Sequence, residues 1–404
     1  MKYMIILGDG MADEPIASLG GKTPLQAASK PSIDRLAALG RSGMLSTVPP
    51  GFAPGSEIAN LSVLGYDVPK VFEGRGSLEA ASMGVPIGDG EMAMRCNLLT
   101  IRDGKIENHS AGHITTPEAA ELIAFLQREL GGGDANFFPG VSYRHLLKLQ
   151  RGDKRIATTP PHDVPGAPYR DKLAKALVPE ADATARRINE LIERSQRLLA
   201  DHPVNRARAA AGKAPANSIW PWSPGYRPAM ETLMQRYGIR SGVVISAVDL
   251  IKGIGVYAGL TPVEVEGATG LYTTNYEGKA QAAIEALRTH DFVFLHIEAS
   301  DEAGHEGDVE LKIRTIEYLD SRVVRPILDE VMTWDEPVSL AVLPDHPTPC
   351  ALRTHTSAPV PFSIFRTGLQ GDGVQRFDEF SAREGSYGNL SGDEFMELFV
   401  RGER

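Results

Sequence analysis

Short apolar runs, each stopped by a charged residue, a glycine or a proline, recur along the chain: residues 3–7, 243–248, 292–297, 338–343 and 360–365. Runs of this length without polar alternation predict strands buried on both faces, as in a parallel sheet covered by helices. Between them the period changes to that of a helix. Residues 32–39, the segment after Ser56, residues 276–288 and residues 309–331 read as helices. The last of these carries Ile316, Leu319, Val323, Ile327 and Val331 at helical spacing. From about residue 83 the rhythm is different. Residues 94–101 and 141–149 read as strands. Thr116 and Pro117 open a helix whose stripe is Ala119, Leu122, Ile123, Leu126 and Leu130, and glycines 131–133 end it. Residues 179–199 predict a second helix. Residues 202–228, rich in proline and alanine and carrying Trp220 and Trp222, read as an irregular linker or substrate lid. The strand–helix rhythm then returns. The pattern therefore predicts an α/β fold with a mostly parallel sheet between helices. Residues 1–82 and 238–404 would form it, interrupted by an inserted α+β domain at 83–237.

Composition narrows the class. The chain has 404 residues, 42% hydrophobic and 23% charged, with a net charge of -10. That length supports two domains, and the acidic balance argues against a nucleic-acid surface. Only two cysteines, Cys96 and Cys350, are present, so no disulfide framework is implied and a reducing compartment fits. The first apolar run meets Asp9 too soon for a signal-peptide core or a membrane span. The expectation is a cytoplasmic protein without membrane or nucleic-acid partners; the oligomeric state is not legible.

The strand ends carry the chemistry. The first run leads into Gly8-Asp9-Gly10. The run at 292–297 delivers Asp301 and His305, four residues apart, into a Gly-containing turn. The run at 338–343 ends in Pro344-Asp345-His346-Pro347, and Thr354-His355-Thr356 follows. Any one of these alone is an ordinary polar loop. Together they place three carboxylates and three imidazoles where open α/β sheets hold their ligands, outside the carboxyl ends of strands. Asp and His without thiolates suit Mn²⁺, Zn²⁺ or Mg²⁺. Two such ions about 4 Å apart can clamp the attacking and leaving oxygens of an in-line phosphoryl transfer. Pro54-Gly55 breaks the chain just before Ser56, which then stands at a helix N-terminus, where backbone N–H groups favour an anion. The plain alternative is a capping serine; beside a metal pair, Ser56 is the candidate nucleophile, its hydroxyl deprotonated by a coordinated ion.

Several motifs occur together: the first ten residues, Gly55-Ser56-Glu57 followed by Leu64-Gly65-Tyr66-Asp67, the Asp301/His305 pair, Asp345-His346 and Thr354-His355-Thr356. In this combination, over nearly its whole length, the chain resembles the archaeal-type cofactor-independent phosphoglycerate mutases of the alkaline phosphatase superfamily. The resemblance implies an alkaline-phosphatase-like sheet and an isomerase of glycolysis and gluconeogenesis. It implies a phosphoserine at Ser56 and two divalent ions, Mn²⁺ before Zn²⁺ or Mg²⁺. One ion would be held by Asp9, Ser56, Asp345 and His346, the other by Asp301, His305 and His355. Lys252 resembles the family's phosphate-contacting lysine. The inserted domain would hold a small phosphorylated hydroxy acid, with Arg144, His162, Asp163 and His113 as candidate contacts. Asn60 stands where many relatives have His, and residues 220–227 depart from a Gly-rich pattern. These departures keep a second reading open, a phosphotransferase of the same family acting on a compound such as homoserine, although the chain has no G-x4-G-K-[ST] loop for a nucleotide. A metal-dependent phosphohydrolase and a non-catalytic metal-binding protein are further readings.

Overall fold

The apolar runs lie side by side. In the computed structural model, which describes residues 1–392 and 394–402, they form an eight-stranded sheet. Its order is Thr261–Pro262, Gly242–Ile245, Phe292–Ile297, Lys2–Gly8, Val338–Leu343, Val360–Arg366, Arg41–Ser46 and Gly388–Ser391. The first five are parallel; Val360–Arg366 runs antiparallel to both its neighbours. Every residue of Phe292–Ile297 and Val338–Leu343 is buried, because helices cover both faces. Helices Pro31–Leu39 and Tyr276–Thr289 contribute Ile33, Leu36, Ala283 and Leu287 to one core, together with Ile316, Val323 and Ile327.

The long helix expected over 309–331 is three pieces: Val309–Tyr318, a wider π segment at Leu319–Val324, and Arg325–Val331. Pro326 explains the break. It has no N–H to donate, and its ring would meet the carbonyl one turn back, so the wider turn relieves both faults. Apolar spacing alone does not report this.

The chain divides into two compact units, residues 1–72 with 229–404, and residues 73–228. The helix Arg75–Ser82 groups with the second unit, where Gly76 lies against the backbone of Ala93 and Ser223 so closely that a Cβ would meet Ala93 O at 2.7 Å. In the second unit, Glu91–Arg102 pairs antiparallel with Lys105–Asn108, Arg144–Gln150 and Ser218–Gly225, and Ala135–Phe138 joins Arg144–Gln150. Helices Thr116–Glu129 and Asp182–Leu199 bury Leu122, Leu126, Ile188 and Ile192 in this unit's core. Residues 202–228 are not an irregular linker. They hold the helix Pro203–Ala210 and the strand Ser218–Gly225, with Trp220 and Trp222 only 2% and 5% exposed. Pro221 and Pro224 look like strand breakers, yet Pro224 falls where the register shifts between Ala93 and Arg95, and Pro221 stands opposite Cys96 in the regular ladder; the buried indoles outweigh the lost donors.

Candidate active site

Strand register brings the chemistry together. Leu7 faces both His296 and Leu343 across the ladder, and Gly8 faces Ile297. Three adjacent strands thus end level, and the residues just beyond them meet in space. Gly10, at φ 63°, lets the chain turn away at once. A Cβ there would lie 2.6 Å from Thr348 Oγ1 and 2.7 Å from Asp301 Cα. Asp301 and His305 sit on a short helix, Ala299–Glu306, rather than in a turn, so their four-residue spacing puts them on one face.

Asp9, Asp345 and His346 are at most 1% exposed and their ligating atoms converge. Asp345 Oδ1 accepts from the backbone N–H groups of Gly10 (3.2 Å) and His346 (2.9 Å). Its Oδ2 accepts from Asn60 Nδ2 at 2.9 Å, and the same amide donates to Ser56 O. Asp9 Oδ2 accepts from His296 Nε2 at 3.0 Å, whereas Asp9 Oδ1 is buried without a hydrogen-bond partner. Burial, then the charges of Asp345, Asp301 and Glu298, drive the Asp9 carboxyl well above its ordinary pKa.

Beside this group lies a second. His305 Nε2 is 3.2 Å from Asp301 Oδ2, His355 Nε2 is 3.3 Å from Asp301 Oδ1, and the two imidazole nitrogens are 2.9 Å apart. His346 belongs to both groups, since its ring nitrogen also converges with Asp301 and His355. Burial alone would raise the Asp301 pKa, but hydrogen bonds from His305 and His355 hold it well below the usual carboxylate range. Its hydrogen bond to Asp301 raises His305 to about 9 against the effect of burial.

The hydrogen bonds assign the tautomers. His305 Nδ1 lies 3.1 Å from Arg353 O, a carbonyl that can only accept, so Nδ1 carries a proton and Nε2, whose proton meets Asp301 Oδ2, is the nitrogen that would give that proton up to offer an ion its lone pair. Thr348 Oγ1 donates to Asp301 Oδ1 at 2.5 Å, leaving it to accept from His346 Nδ1 at 3.3 Å; His346 Nε2 is then the free nitrogen. A proton on the far nitrogen, given to a carbonyl or hydroxyl, is how metal-binding imidazoles are held. Two nitrogens bound to one ion at about 2.1 Å sit about 3 Å apart at an octahedral angle. The donor set fits hard or borderline divalent ions: clustered carboxylates, an orphaned buried oxygen and inward-facing imidazole lone pairs all call for positive charge.

Ser56 is the first residue of the helix Ser56–Val63, with extended Gly55 before it, and its Oγ lies 3.3 Å from His346 Nε2. Lys252 is on the helix Asp249–Tyr257 rather than at the strand end; it is 9% exposed and its Nζ meets Glu264 Oε1 at 2.6 Å. The four remaining candidates are in the second unit. His162 packs its ring 5.5 Å from Trp222 and 6.1 Å from His109, and its Nε2 is 3.4 Å from exposed Asp163. Arg144 and His113 are exposed. Burial lowers the His162 pKa against the opposing charge of Asp163, with Arg95, His109 and Arg75 adding to the lowering.

Sequence reasoning noted Asn60 only as a departure from the family pattern and missed His296 and Thr348 around the buried cluster, and Arg75 and Arg95 in the second unit. Arg95 stacks 4.3 Å above Trp222 and pairs with Glu79, while Arg75 Nε is buried without a hydrogen-bond partner among the described residues. His296 alone left a signal: a histidine inside the otherwise apolar FVFLHI strand must have a partner where it is buried.

A family model described as 2,3-bisphosphoglycerate-independent phosphoglycerate mutase matches residues 37–205. A Methanosarcina acetivorans protein named 2,3-bisphosphoglycerate-independent phosphoglycerate mutase is 50% identical over 99% of this chain and 100% of its own. A Geobacter sulfurreducens protein named as a probable enzyme of the same kind is 47% identical over 99% of this chain and 100% of its own. Among solved structures, a cofactor-independent phosphoglycerate mutase from Thermoplasma acidophilum superposes with a TM-score of 0.70 at 28% identity, covering 99% of both chains. A Pyrococcus horikoshii protein gives 0.83 at 29%, covering 100% of this chain and 98% of its own.

Proposed function

The chain belongs to the 2,3-bisphosphoglycerate-independent phosphoglycerate mutase family, and from that premise we propose that it interconverts 3-phosphoglycerate and 2-phosphoglycerate through a phosphoserine at Ser56. The observation that carries this reading is Ser56 Oγ at a helix N-terminus, 3.3 Å from His346 Nε2 and beside the Asp9/Asp345/His346 cluster. Asp9, Asp345 and His346 would hold one divalent ion with Ser56, and Asp301, His305 and His355 the other; Mn²⁺ is our first choice. When bound, such ions neutralise phosphoryl oxygens and lower the pKa of a coordinated hydroxyl.

In the first half-reaction, Ser56 Oγ attacks phosphorus in line. The bond from phosphorus to the 3-oxygen of the substrate breaks, and the serine proton ends on that oxygen, giving glycerate. In the second, the 2-hydroxyl attacks the phosphoserine and its proton returns to Ser56. No atoms are gained or lost, and no phosphorylated primer is required. The helix N-terminus favours the added phosphate. Asn60, bridging Ser56 O and Asp345, keeps the nucleophile's helix in register with the cluster. Lys252, almost fully buried, offers a cation to the transferring group. In the second unit, Arg75 and Arg144 lie near Arg95, and Arg75 and Arg95 lie near His162, with Arg95 stacked on Trp222. A carboxylate ligand suits those guanidinium groups, which supports a hydroxy-acid substrate, as do the relatives' names over the homoserine alternative.

The test is ³¹P NMR on Mn²⁺-loaded protein given 3-phosphoglycerate alone. Appearance of 2-phosphoglycerate without nucleotide, abolished by EDTA, is the expected result. A silent sample, with phosphohomoserine formed from homoserine and ATP in a parallel tube, would move the function to the kinase reading. Free phosphate alone would make it a phosphohydrolase.

A further inference from the structure

The ammonium of Lys312 hydrogen-bonds to residues of both ligand-bearing loops, and its side chain is 0% exposed. It projects from the helix Val309–Tyr318, which follows directly on the helix bearing Asp301 and His305. Its Nζ has three protons and three partners: Ala12 O at 3.1 Å, Asp13 Oδ2 at 2.9 Å and Thr348 O at 2.8 Å. Ala12 and Asp13 end the loop that begins with Asp9. Thr348 ends the loop that begins with Asp345 and His346, and its hydroxyl holds both Asp301 and His346. Asp13 Oδ2 also accepts from Cys350 N at 3.0 Å, and Asp13 N donates to Glu379 Oε1 at 3.0 Å. A second backbone bond, Thr348 N to Ala12 O at 3.2 Å, ties the two loops to each other.

A buried charge is costly unless it is fully paired. Hydrophobic side chains could fill this place between two loops and a helix. An ammonium does something they cannot: it fixes two carbonyls and one carboxylate, belonging to different loops, at hydrogen-bond distance from a single atom. We propose that Lys312 is a positioning residue for the metal cluster, acting through Ala12, Asp13 and Thr348 to hold the Asp9 and Asp345–His346 loops against the Asp301 helix. This rests on the reading that the cluster binds divalent ions.

The experiment compares Mn²⁺ dissociation constants by calorimetry for wild type, Lys312→Met and Lys30→Met, with metal-free melting and near-ultraviolet circular dichroism alongside. Lys30 is a matched control: it is 3% exposed and its Nζ pairs with Asp34 Oδ1 at 2.7 Å, and among the described residues no side-chain hydrogen bond ties it to either ligand loop. Partners behind metal ligands are worth about 10- to 100-fold in affinity. Lys312→Met should therefore bind Mn²⁺ at least about tenfold more weakly, while Lys30→Met keeps wild-type affinity whatever it loses in melting temperature. Wild-type affinity in Lys312→Met, or an equal loss in Lys30→Met, overturns the proposal. If Lys312→Met does not fold, Asp13→Asn takes its place: it keeps the shape but removes the countercharge, and weaker binding is again expected, unchanged binding again overturning. Failure of wild type to bind Mn²⁺ would instead overturn the metal reading itself, and the proposal with it.

Discussion

Replacing His296 by Leu separates the orientation of Asp9 from its presence. His296 is 0% exposed, and its Nε2, 3.0 Å from Oδ2, is the sole hydrogen-bond donor to the Asp9 carboxylate among the described residues. Its Nδ1 accepts a hydrogen bond from Ser246 Oγ at 3.2 Å, which fixes the neutral tautomer, and burial lowers its pKa to about 4. Leucine fills a similar volume on the fully buried strand but donates nothing, so both Asp9 oxygens are left unheld. A hydrogen bond to a charged group contributes about 1.5–3 kcal/mol. The usual 10- to 100-fold effect of a partner behind a metal ligand converts to about 1.4–2.7 kcal/mol. The two routes agree near 2 kcal/mol, or about 30-fold. Calorimetric titration of metal-free His296→Leu with Mn²⁺ should show that loss while circular dichroism reports an intact fold. Binding within about twofold of wild type would refute the claim that His296 orients Asp9, since twofold is only about 0.4 kcal/mol.

Three further outcomes follow from named contacts. Gly10→Ala places a Cβ 2.6 Å from Thr348 Oγ1 at a positive φ; left-handed strain and overpacking each cost about 1–3 kcal/mol, so Mn²⁺ binding should collapse in calorimetry. Asn60→Ala removes the donor to Asp345 Oδ2 and frees the Ser56 helix from Asp345; Mn²⁺ affinity in calorimetry and kcat for mutase turnover should each fall about 10- to 100-fold. Burial depresses the His145 pKa to about 3. The unfolded chain therefore takes up a proton below about 6.5 that the folded chain refuses, so stability present above that pH is lost as pH falls toward 3. Urea melts of His145→Gln in EDTA should show a shallower loss between pH 6.5 and 4, by about one proton.

Much of the sheet was legible because buried parallel strands must be apolar throughout, and the charge that stops each run marks the end where ligands gather. Asp9, Asp301, His305, Asp345, His346 and His355 stood out for that reason. The residues that hold them did not. His296 meets Asp9 across 287 positions, and Lys312 meets Asp13 across 299; nothing local distinguishes Lys312 from a solvated helical lysine. The segment around Trp220 and Trp222 was read as irregular because proline normally argues against a strand; only the pairing with Glu91–Arg102 shows Pro224 at a register shift and Pro221 opposite Cys96. Arg75 and Arg95 become visible only once the sheet of the second unit sets them beside Trp222 and His162.

The central claim is that phosphate passes through Ser56. Mn²⁺-loaded protein mixed with 3-phosphoglycerate, quenched in acid within milliseconds and digested for tandem mass spectrometry, tests it most directly. The account predicts phosphate on the Ser56 peptide of wild type, and neither that phosphate nor 2-phosphoglycerate from Ser56→Ala. Formation of 2-phosphoglycerate by Ser56→Ala at a rate near wild type would contradict it.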